Sequence, residues 1–165
     1  MVGAPGQDGA NPASPTIDAG AVYAFGSVLS NFQQTGFLTA SNAENNDRFG
    51  YDLTVEDNLL VISAPAEDGS VLASTGGQPD NGANDAGAVY LFSNVSAEFD
   101  SLSVWEESGI VRSPAGDPAD VFGSSVGLSQ GTLAVGVPGE SANPRPAADP
   151  SDNSLAASGA VYVFR

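Results

Sequence analysis

A 73-residue internal repeat is the feature that most restricts how this chain can fold. Phe49 and Phe122 are 73 residues apart (122 − 49 = 73), and segment 32–65 aligns with segment 105–138 without a gap. The second half of the repeated unit also recurs near the start of the chain. Self-similarity at a fixed period is the sequence signature of repeat architectures. The sequence therefore predicts several copies of one structural unit.

The repeated unit is predicted to consist of short β-strands. Its apolar stretches, such as Leu59–Ile62 and Gly87–Phe92, have strand length and are continuous rather than alternating. A continuous apolar run of this length favours a strand that is covered on both faces. With 20 Gly and 11 Pro, the chain is rich in turns.

Two hairpins are predicted at matching places in the repeat. Asn, Asp and Gly favour tight turns because they tolerate positive φ or form local hydrogen bonds. The predicted hairpins are 49–56 with 59–65 about Asp57-Asn58, and 122–129 with 132–138 about Gln130-Gly131.

Composition limits the classes of partner. The net charge is −16, and the four cations are all arginines. A field of this sign repels phosphate backbones and anionic lipid, which argues against nucleic acid and membrane surfaces as partners. No apolar run approaches the ~20 residues of a membrane span, so membrane insertion is not expected. Cations, neutral glycans and basic proteins fit the charge better.

Three short motifs carry a resemblance to a known family. RFGYDL, LLVISAP and GAVYLF recur as VFGSSV, LAVGVP and GAVYVF, and VGAP and GAVYAF stand near the start. These residues resemble the FG-GAP repeat, the blade unit of integrin α-subunit β-propellers and of many bacterial surface proteins. The resemblance extends over nearly the whole chain. It implies four-stranded antiparallel blades arranged radially.

The resemblance implies an all-β fold with about three blade segments. One complete blade is expected at 49–112, between partial blades at 1–48 and 113–165. Propellers have about 4–8 blades, so the chain is expected to belong to a ring of roughly six or seven, or to be completed by other chains. Since Met1 is followed directly by repeat sequence, we expect a removed leader or a piece of a longer protein.

The calcium loop of the family is the main departure. Calcium-binding blades of this family carry a DxDxDG-like loop between the first two strands, where this chain reads VEDNLL or LSQGTL. Calcium takes about 6–8 oxygen ligands, more than these turns supply. The family's calcium role is therefore not transferred to these turns. Ca²⁺ is kept as a candidate cofactor of the long loops.

The long loops between the second and third strands are the predicted recognition surface. The implied fold places them on one face, and rigid scaffolds often bind partners through such loops. Acidic residues that follow the loop-opening prolines are the candidate ligand contacts. These residues are Asp8, Glu67, Asp68 and Glu140.

Asp-Asn pairs near the ends of two long loops are the candidate metal ligands. The pairs are Asp80-Asn81 and Asp152-Asn153, each seven and six residues before the glycine that opens the next strand. Acidic groups at both ends of a loop would hold a hard cation through oxygen atoms. Asp and Asn also form turns without any metal, and this is the interpretation we favour.

Other recurring side chains have structural interpretations. Asp47 and Asp120 precede the two FG motifs by two residues and are interpreted as turn carboxylates that accept backbone N–H bonds. The aromatic rings within the apolar strands are expected to pack in the core rather than to stack on sugars. They are Tyr23, Tyr90 and Tyr162. Phe32 and Trp105 are predicted to cover the outer strands.

Catalysis within this chain is not expected. The chain has neither His nor Cys, which removes the commonest general base, the usual nucleophilic triads and typical zinc sites. No Gly-rich stretch is followed by the Lys-Ser/Thr of a phosphate loop.

Three functions remain open at this point. The first is a non-catalytic adhesion or recognition module at an extracellular or cell-surface location, bacterial or archaeal, that binds a protein or glycan. The second is a structural subunit that self-associates through open blade edges. The third is an accessory domain of a secreted enzyme.

Overall fold

The computed structural model of the chain describes residues 1–9, 16–28, 31–69, 81–96, 104–141 and 152–165. In these residues ten β-strands form, and no helix is present. The strands are β1 (Val2–Ala4), β2 (Ala21–Val28), β3 (Asn31–Leu38), β4 (Leu53–Glu56), β5 (Leu59–Ala64), β6 (Ala88–Asn94), β7 (Trp105–Val111), β8 (Ser125–Ser129), β9 (Thr132–Val137) and β10 (Ala160–Phe164).

The strands form three antiparallel sheets, each built from strands that are consecutive in the sequence. The first sheet has the order β1-β2-β3, the middle sheet β4-β5-β6-β7, and the third sheet β8-β9-β10. The prediction of an all-β chain made of small antiparallel sheets is confirmed. Sheets of three or four strands are consistent with propeller blades.

The middle sheet is buried on both faces. Leu60 and Ile62 of β5 pack with Val22 of the first sheet in one apolar cluster. Val61 packs in a second cluster with Val135 of the third sheet. Successive residues of a strand point to opposite faces, so β5 must be apolar at every position. This confirms the interpretation of its continuous apolar run.

The segments that precede β4 and β8 connect neighbouring sheets instead of extending these strands. β4 begins at Leu53, whereas the sequence predicted a strand from Phe49. Likewise β8 begins at Ser125 and not at Phe122. Phe49 forms a bridge to Gly20 of the first sheet, which diverts its backbone from the middle sheet.

Three backbone hydrogen bonds join each pair of neighbouring sheets, and the pattern is the same at both joints. In each case the segment that leads into the FG motif, together with the Phe of the motif, donates N–H groups to carbonyls of the previous long loop. The bonds are Asn46 to Ile17 (2.8 Å), Arg48 to Asp18 (3.2 Å) and Phe49 to Ala19 (2.9 Å), and Ala119 to Asn84 (2.8 Å), Val121 to Asp85 (3.0 Å) and Phe122 to Ala86 (2.8 Å). Directional bonds in this number fix how consecutive sheets are placed.

Close packing requires glycine at the equivalent position of both joints. A Cβ on Gly87 would lie 2.2 Å from the carbonyl oxygen of Phe122, and one on Gly20 would lie 2.0 Å from that of Phe49. Gly87 also has φ of 86°, a region that other residues rarely adopt. The ring of Phe49 packs edge-on against Tyr90 at 5.2 Å between centroids. Gly20 and Gly87 thus permit the close approach of neighbouring sheets.

Both predicted hairpins are present. Glu56 pairs with Leu59 across Asp57-Asn58, and Ser129 pairs with Thr132 across Gln130-Gly131. The positive φ of the first turn falls on Asp57 (51°). Asp, like Asn, tolerates this conformation because its side chain forms local hydrogen bonds.

The aromatic residues at the start of the outer strands differ in environment. Trp105 on β7 packs against the apolar cluster between the first and middle sheets. Phe32, at the corresponding place on β3, is 84% exposed, so its predicted packing role is not observed. The cluster that receives Trp105 lies between two sheets, and no described sheet covers the corresponding face of the first one.

Candidate functional site

The long connections leave the sheets from one end. In each sheet a long loop joins two antiparallel neighbours, so the last residue of one strand is paired with the first residue of the next. These terminal pairs are Ala4 with Ala21, Ala64 with Ala88, and Val137 with Ala160. The connections between sheets depart from this same end. We call this surface the loop face; it consists of the described parts of 5–20, 39–52, 65–87, 112–124 and 138–159.

Asp47 and Asp120 lie beneath the loop face as turn carboxylates. Each is 2% exposed. Asp47 accepts the Glu44 N–H at 2.7 Å, and Asp120 accepts the Asp117 N–H at 2.8 Å. Their interpretation as turn residues that accept backbone bonds is therefore confirmed.

Burial raises the pKa of both turn carboxylates. Desolvation raises the pKa of Asp47 to about 7, and the negative charge of Glu67 adds to the rise, while the hydrogen bond from Glu44 opposes it. Desolvation also raises the pKa of Asp120, with Glu140 as the neighbouring negative charge. A carboxyl group with a pKa near 7 is partly protonated at neutral pH.

Glu67 is held in a buried network at the joint between the first and middle sheets. It is 2% exposed, and it forms an ion pair with Arg112 at 2.6 Å. The Asn42 amide donates to Glu67 at 3.0 Å, and the Tyr90 hydroxyl donates to Asn42 at 2.7 Å. Tyr90 is itself fully buried, as the core interpretation of the tyrosines predicted.

The other two tyrosines make comparable contacts with the same loop position. Tyr162 donates to Glu140 at 2.7 Å, and Tyr23 donates to Gln7 at 2.8 Å. Glu140 is fully buried. Each sheet therefore anchors the start of its long loop through a tyrosine of the strand that follows the loop, directly or through Asn42.

The four predicted ligand contacts divide into two kinds. Glu67 and Glu140 are buried inside the joints, so the surface position that the sequence suggested is not observed for them. Asp8 accepts the Asp18 N–H at 3.1 Å, and Asp68 accepts the Asp85 N–H at 2.8 Å, so both brace their own loops. Asp8 is exposed and Asp68 is half-buried, which leaves these two within reach of a partner.

The candidate metal ligands are only partly described. Asp80 lies outside the described residues. The amides of Asn81 and Asn153 donate to Glu44 and to Asp117 respectively, at equivalent places in the repeat. Asp152 accepts the Ser154 N–H at 3.2 Å. In the described ranges no group of three or more acidic side chains is placed to hold a metal ion, and the metal site stays a prediction.

Comparison with known families identifies the repeated unit. Residues 32–92 match the sequence model of the FG-GAP repeat. These residues are an FG-GAP repeat. A search of curated proteins gives no significant match. FG-GAP repeats are typical of extracellular proteins, and no described segment forms a helix long and apolar enough to cross a membrane.

The FG-GAP repeat of 32–92 does not coincide with one sheet. It begins on β3, which belongs to the first sheet, and ends on β6 of the middle sheet. The repeat therefore contains one side of each joint: the donor segment that ends at Phe49, and the acceptor carbonyls of Asn84, Asp85 and Ala86. The family unit thus describes a connection between sheets as much as a sheet.

Two cavities of the loop face meet at side chains within the FG-GAP repeat. One, of about 420 Å³, is lined by Arg48 and Tyr51 together with Asp85. The other, of about 260 Å³, lies between Arg48 and Tyr51 on one side and Asp18 on the other. Arg48 and Tyr51 are exposed and are shared by both cavities. They therefore place a cation and an aromatic ring together on the loop face.

Sequence reasoning missed Arg48 and Tyr51, although a signal was present. The corresponding positions of the next copy, 73 residues later, hold Val121 and Ser124. The other contacts of the two joints are nearly the same, so the difference is not needed for packing. A cation and an aromatic ring at only one copy of a repeat indicate a local role.

Proposed function

We propose that the chain is a non-catalytic recognition module of an extracellular β-propeller, and that its loop face binds a protein or glycan. The FG-GAP repeat supports the propeller and the location. The regular joints support a rigid loop face, because each is held by three backbone hydrogen bonds and a buried side-chain network. Rigid scaffolds with exposed loops bind partners at a low ordering cost.

The surface around Arg48 and Tyr51 carries this proposal. An exposed guanidinium donates several hydrogen bonds to carboxylate or hydroxyl oxygens, and an exposed phenol ring stacks on sugars or apolar groups. The surrounding field is strongly negative, at −16 for the chain. It favours ligands that are neutral or basic overall and present one acceptor group to Arg48.

The architecture proposed with this function is a ring of six or seven blades, to which the chain contributes three sheets. Antiparallel blades stacked through their faces support it, because each blade has to bury both faces. Ca²⁺ on the long loops is retained as a proposal for the segments that include Asp80 and Asp152.

The function is tested by screening extracellular glycans and proteins for binding, followed by variants of the surface. We expect Tyr51→Ala and Arg48→Ala to weaken the selected ligand at least tenfold. Phe32→Ala is the matched control, because Phe32 is an exposed aromatic at the far end of β3. Equal binding by all three variants would overturn the role of this surface, and an absence of any ligand would count against recognition.

A structural subunit that assembles through its open sheets is the second candidate. Its support is the exposure of apolar strand residues at the two ends of the sheet stack, such as Phe25 at 45% and Val163 at 57%. Light scattering over a range of concentrations tests it. Growth in mass with concentration would support assembly, and a constant monomer mass would exclude it.

A further inference from the structure

Three charged side chains line the two cavities of the loop face without pairing with one another. Arg48 belongs to both cavities, with Asp18 on the wall of the smaller one and Asp85 on the wall of the larger one. Among the described residues, both aspartates make their hydrogen bonds through the backbone, and no ion pair joins Arg48 to either carboxylate. The polar atoms of the three side chains are therefore available to a ligand.

The backbone holds these three groups in fixed places. All of them have left-handed conformations, with φ of 50° at Asp18, 60° at Arg48 and 54° at Asp85. The Arg48 N–H bonds the Asp18 carbonyl at 3.2 Å, so these two residues are adjacent across the first joint. Asp8 and Asp68 accept the N–H groups of the two cavity aspartates at 3.1 Å and 2.8 Å. Groups held in this way lose little freedom when a ligand binds.

The two cavities are built alike and share one wall. In each, the opposite wall consists of the two residues that open a long loop and of the aspartate near the end of that loop. These residues are Pro5, Gly6 and Asp18 in the cavity of about 260 Å³, and Pro65, Ala66 and Asp85 in the cavity of about 420 Å³. Arg48 and Tyr51 line both cavities, so a ligand in one of them can extend past these side chains into the other.

Hydroxyl groups are the ligand groups that match this set of side chains. A guanidinium only donates hydrogen bonds and a carboxylate only accepts them, whereas a hydroxyl does both. Neighbouring hydroxyls of one sugar ring can therefore accept from Arg48 and donate to an aspartate. The C–H face of the same ring stacks on the phenol of Tyr51, which is 51% exposed. The net charge of −16 disfavours acidic sugars.

We propose, resting on the recognition function proposed above, that the ligand of the loop face is a neutral oligosaccharide of at least two pyranose rings. One ring stacks on Tyr51 and accepts hydrogen bonds from Arg48. The saccharide extends from the smaller cavity into the larger one. Its hydroxyls donate to Asp18 in the first cavity and to Asp85 in the second.

The length of the saccharide is the first test. Neutral oligosaccharides of increasing length, built from glucose, mannose or galactose, are titrated against the full chain by calorimetry. We expect at least one series to bind, with a dissociation constant that falls by about tenfold from one ring to two, because the second ring fills the second cavity. Equal affinity for one ring and for two would overturn the proposal.

Asp18→Ala and Asp85→Ala test the two cavities separately. Each should weaken the two-ring ligand by about tenfold, since its hydroxyls lose a charged acceptor. Alanine is compatible with this backbone, because Ala157 occupies the place of Asp85 in the last long loop with φ of 46°. Asp57→Ala is the matched control: Asp57 is exposed and has φ of 51°, but it lies in the β4-β5 turn, away from the loop face. Binding that either cavity variant leaves unchanged would overturn the arrangement.

The same titrations separate this inference from the proposed function. A protein ligand that is weakened by Tyr51→Ala and Arg48→Ala, while no oligosaccharide binds, would overturn the saccharide and keep the recognition surface. An oligosaccharide that binds the chain and all of these variants equally would overturn both. An oligosaccharide that the two surface variants and the two aspartate variants weaken, and that Asp57→Ala does not, supports both.

Discussion

At the residue scale, the joints depend on a few backbone positions where a side chain cannot be accommodated. Gly87 combines φ of 86° with a close approach to the backbone of Phe122. Gly131, in a hairpin turn, has φ of 69°, but no neighbouring atom lies within 4 Å of the place that a Cβ would occupy. A substitution at Gly131 therefore measures the cost of positive φ alone, whereas one at Gly87 adds the cost of a steric clash.

We predict that Gly131→Ala lowers the free energy of unfolding by about 1–2 kcal/mol, the ordinary cost of a left-handed conformation. Gly87→Ala should cost more than about 3 kcal/mol, because the sheets must also separate. Urea unfolding of both variants measures the difference. Equal losses would show that contact with Phe122 has no energetic role.

The buried carboxyl of Asp47 leads to a pH prediction. Its pKa is raised from 3.8 to about 7 by burial, with Glu67, Glu44 and Asp68 as further negative charges nearby. The folded chain therefore binds this proton more tightly than the unfolded chain, and the contribution to stability is lost as the pH rises from about 4 to 7.

We expect Asp47→Asn to flatten the fall in stability between pH 4 and pH 7, since its amide oxygen still accepts the Glu44 N–H. Thermal unfolding across this range provides the measurement. Glu56→Gln is the control, because its exposed carboxylate has a lowered pKa and should not flatten the same fall. An unchanged profile in Asp47→Asn would contradict the prediction.

Residue roles were predictable from sequence where local rules decide them. The turn role of Asp47 follows from its position two residues before the FG motif, and the structure confirms it. The burial of Glu67 was not predictable, because it depends on Arg112, a residue 45 positions away that compensates its charge. The cavities at Arg48 likewise require the assembled joint.

At the element scale, the side chains at the start of the long loop are charged in one sheet and neutral at the corresponding positions of another. The middle sheet holds the Glu67–Arg112 ion pair. The corresponding positions of the first sheet hold Gln7 and Thr39, which are both neutral. In the middle sheet the buried Glu67 carboxylate is thus matched by a guanidinium, as expected from the cost of burying one charge alone.

We predict that Arg112→Thr alone lowers the free energy of unfolding by about 3–5 kcal/mol, since it leaves a buried carboxylate without its cation. The double variant Glu67→Gln with Arg112→Thr reproduces the arrangement of the first sheet and should recover most of this loss. A double-mutant cycle from urea unfolding tests the coupling. Additive effects would show that the two residues stabilise the chain independently.

Most elements could be predicted from periodicity, but their first residues could not. The apolar runs and tight turns identify β5 and both hairpins because strand pairing within a sheet is local in sequence. The predicted strand at Phe49 starts four residues too early, since its backbone bonds are used by Ala19 and Gly20 of the neighbouring sheet. Sequence alone does not reveal that the Phe49 backbone bonds to the neighbouring sheet instead of extending β4.

At the scale of the whole molecule, charge and salt determine stability together. The net charge of −16 is carried by 20 acidic residues against four arginines. Self-repulsion of this kind weakens a compact state and is reduced by ionic screening over a Debye length of about 8–10 Å near physiological salt.

We expect the unfolding temperature to rise by several degrees between low salt and about 0.5 M NaCl, because screening relieves repulsion among the carboxylates. CaCl₂ at matched ionic strength separates screening from specific binding. An additional rise with calcium that Asp152→Asn removes would establish the loop metal site. A temperature that is independent of NaCl would contradict the charge argument.

The offset between the FG-GAP repeat and the sheets has a consequence for how such chains change during evolution. Residues 32–92 start on the last strand of one sheet and finish on the third strand of the next. A tandem duplication of one period copies one donor segment and one set of acceptor carbonyls, so the added sheet meets neighbours whose surfaces already match it. Loss of one period likewise rejoins compatible surfaces. The number of sheets can therefore change in a single genetic event, with no interval in which a new interface has to be selected.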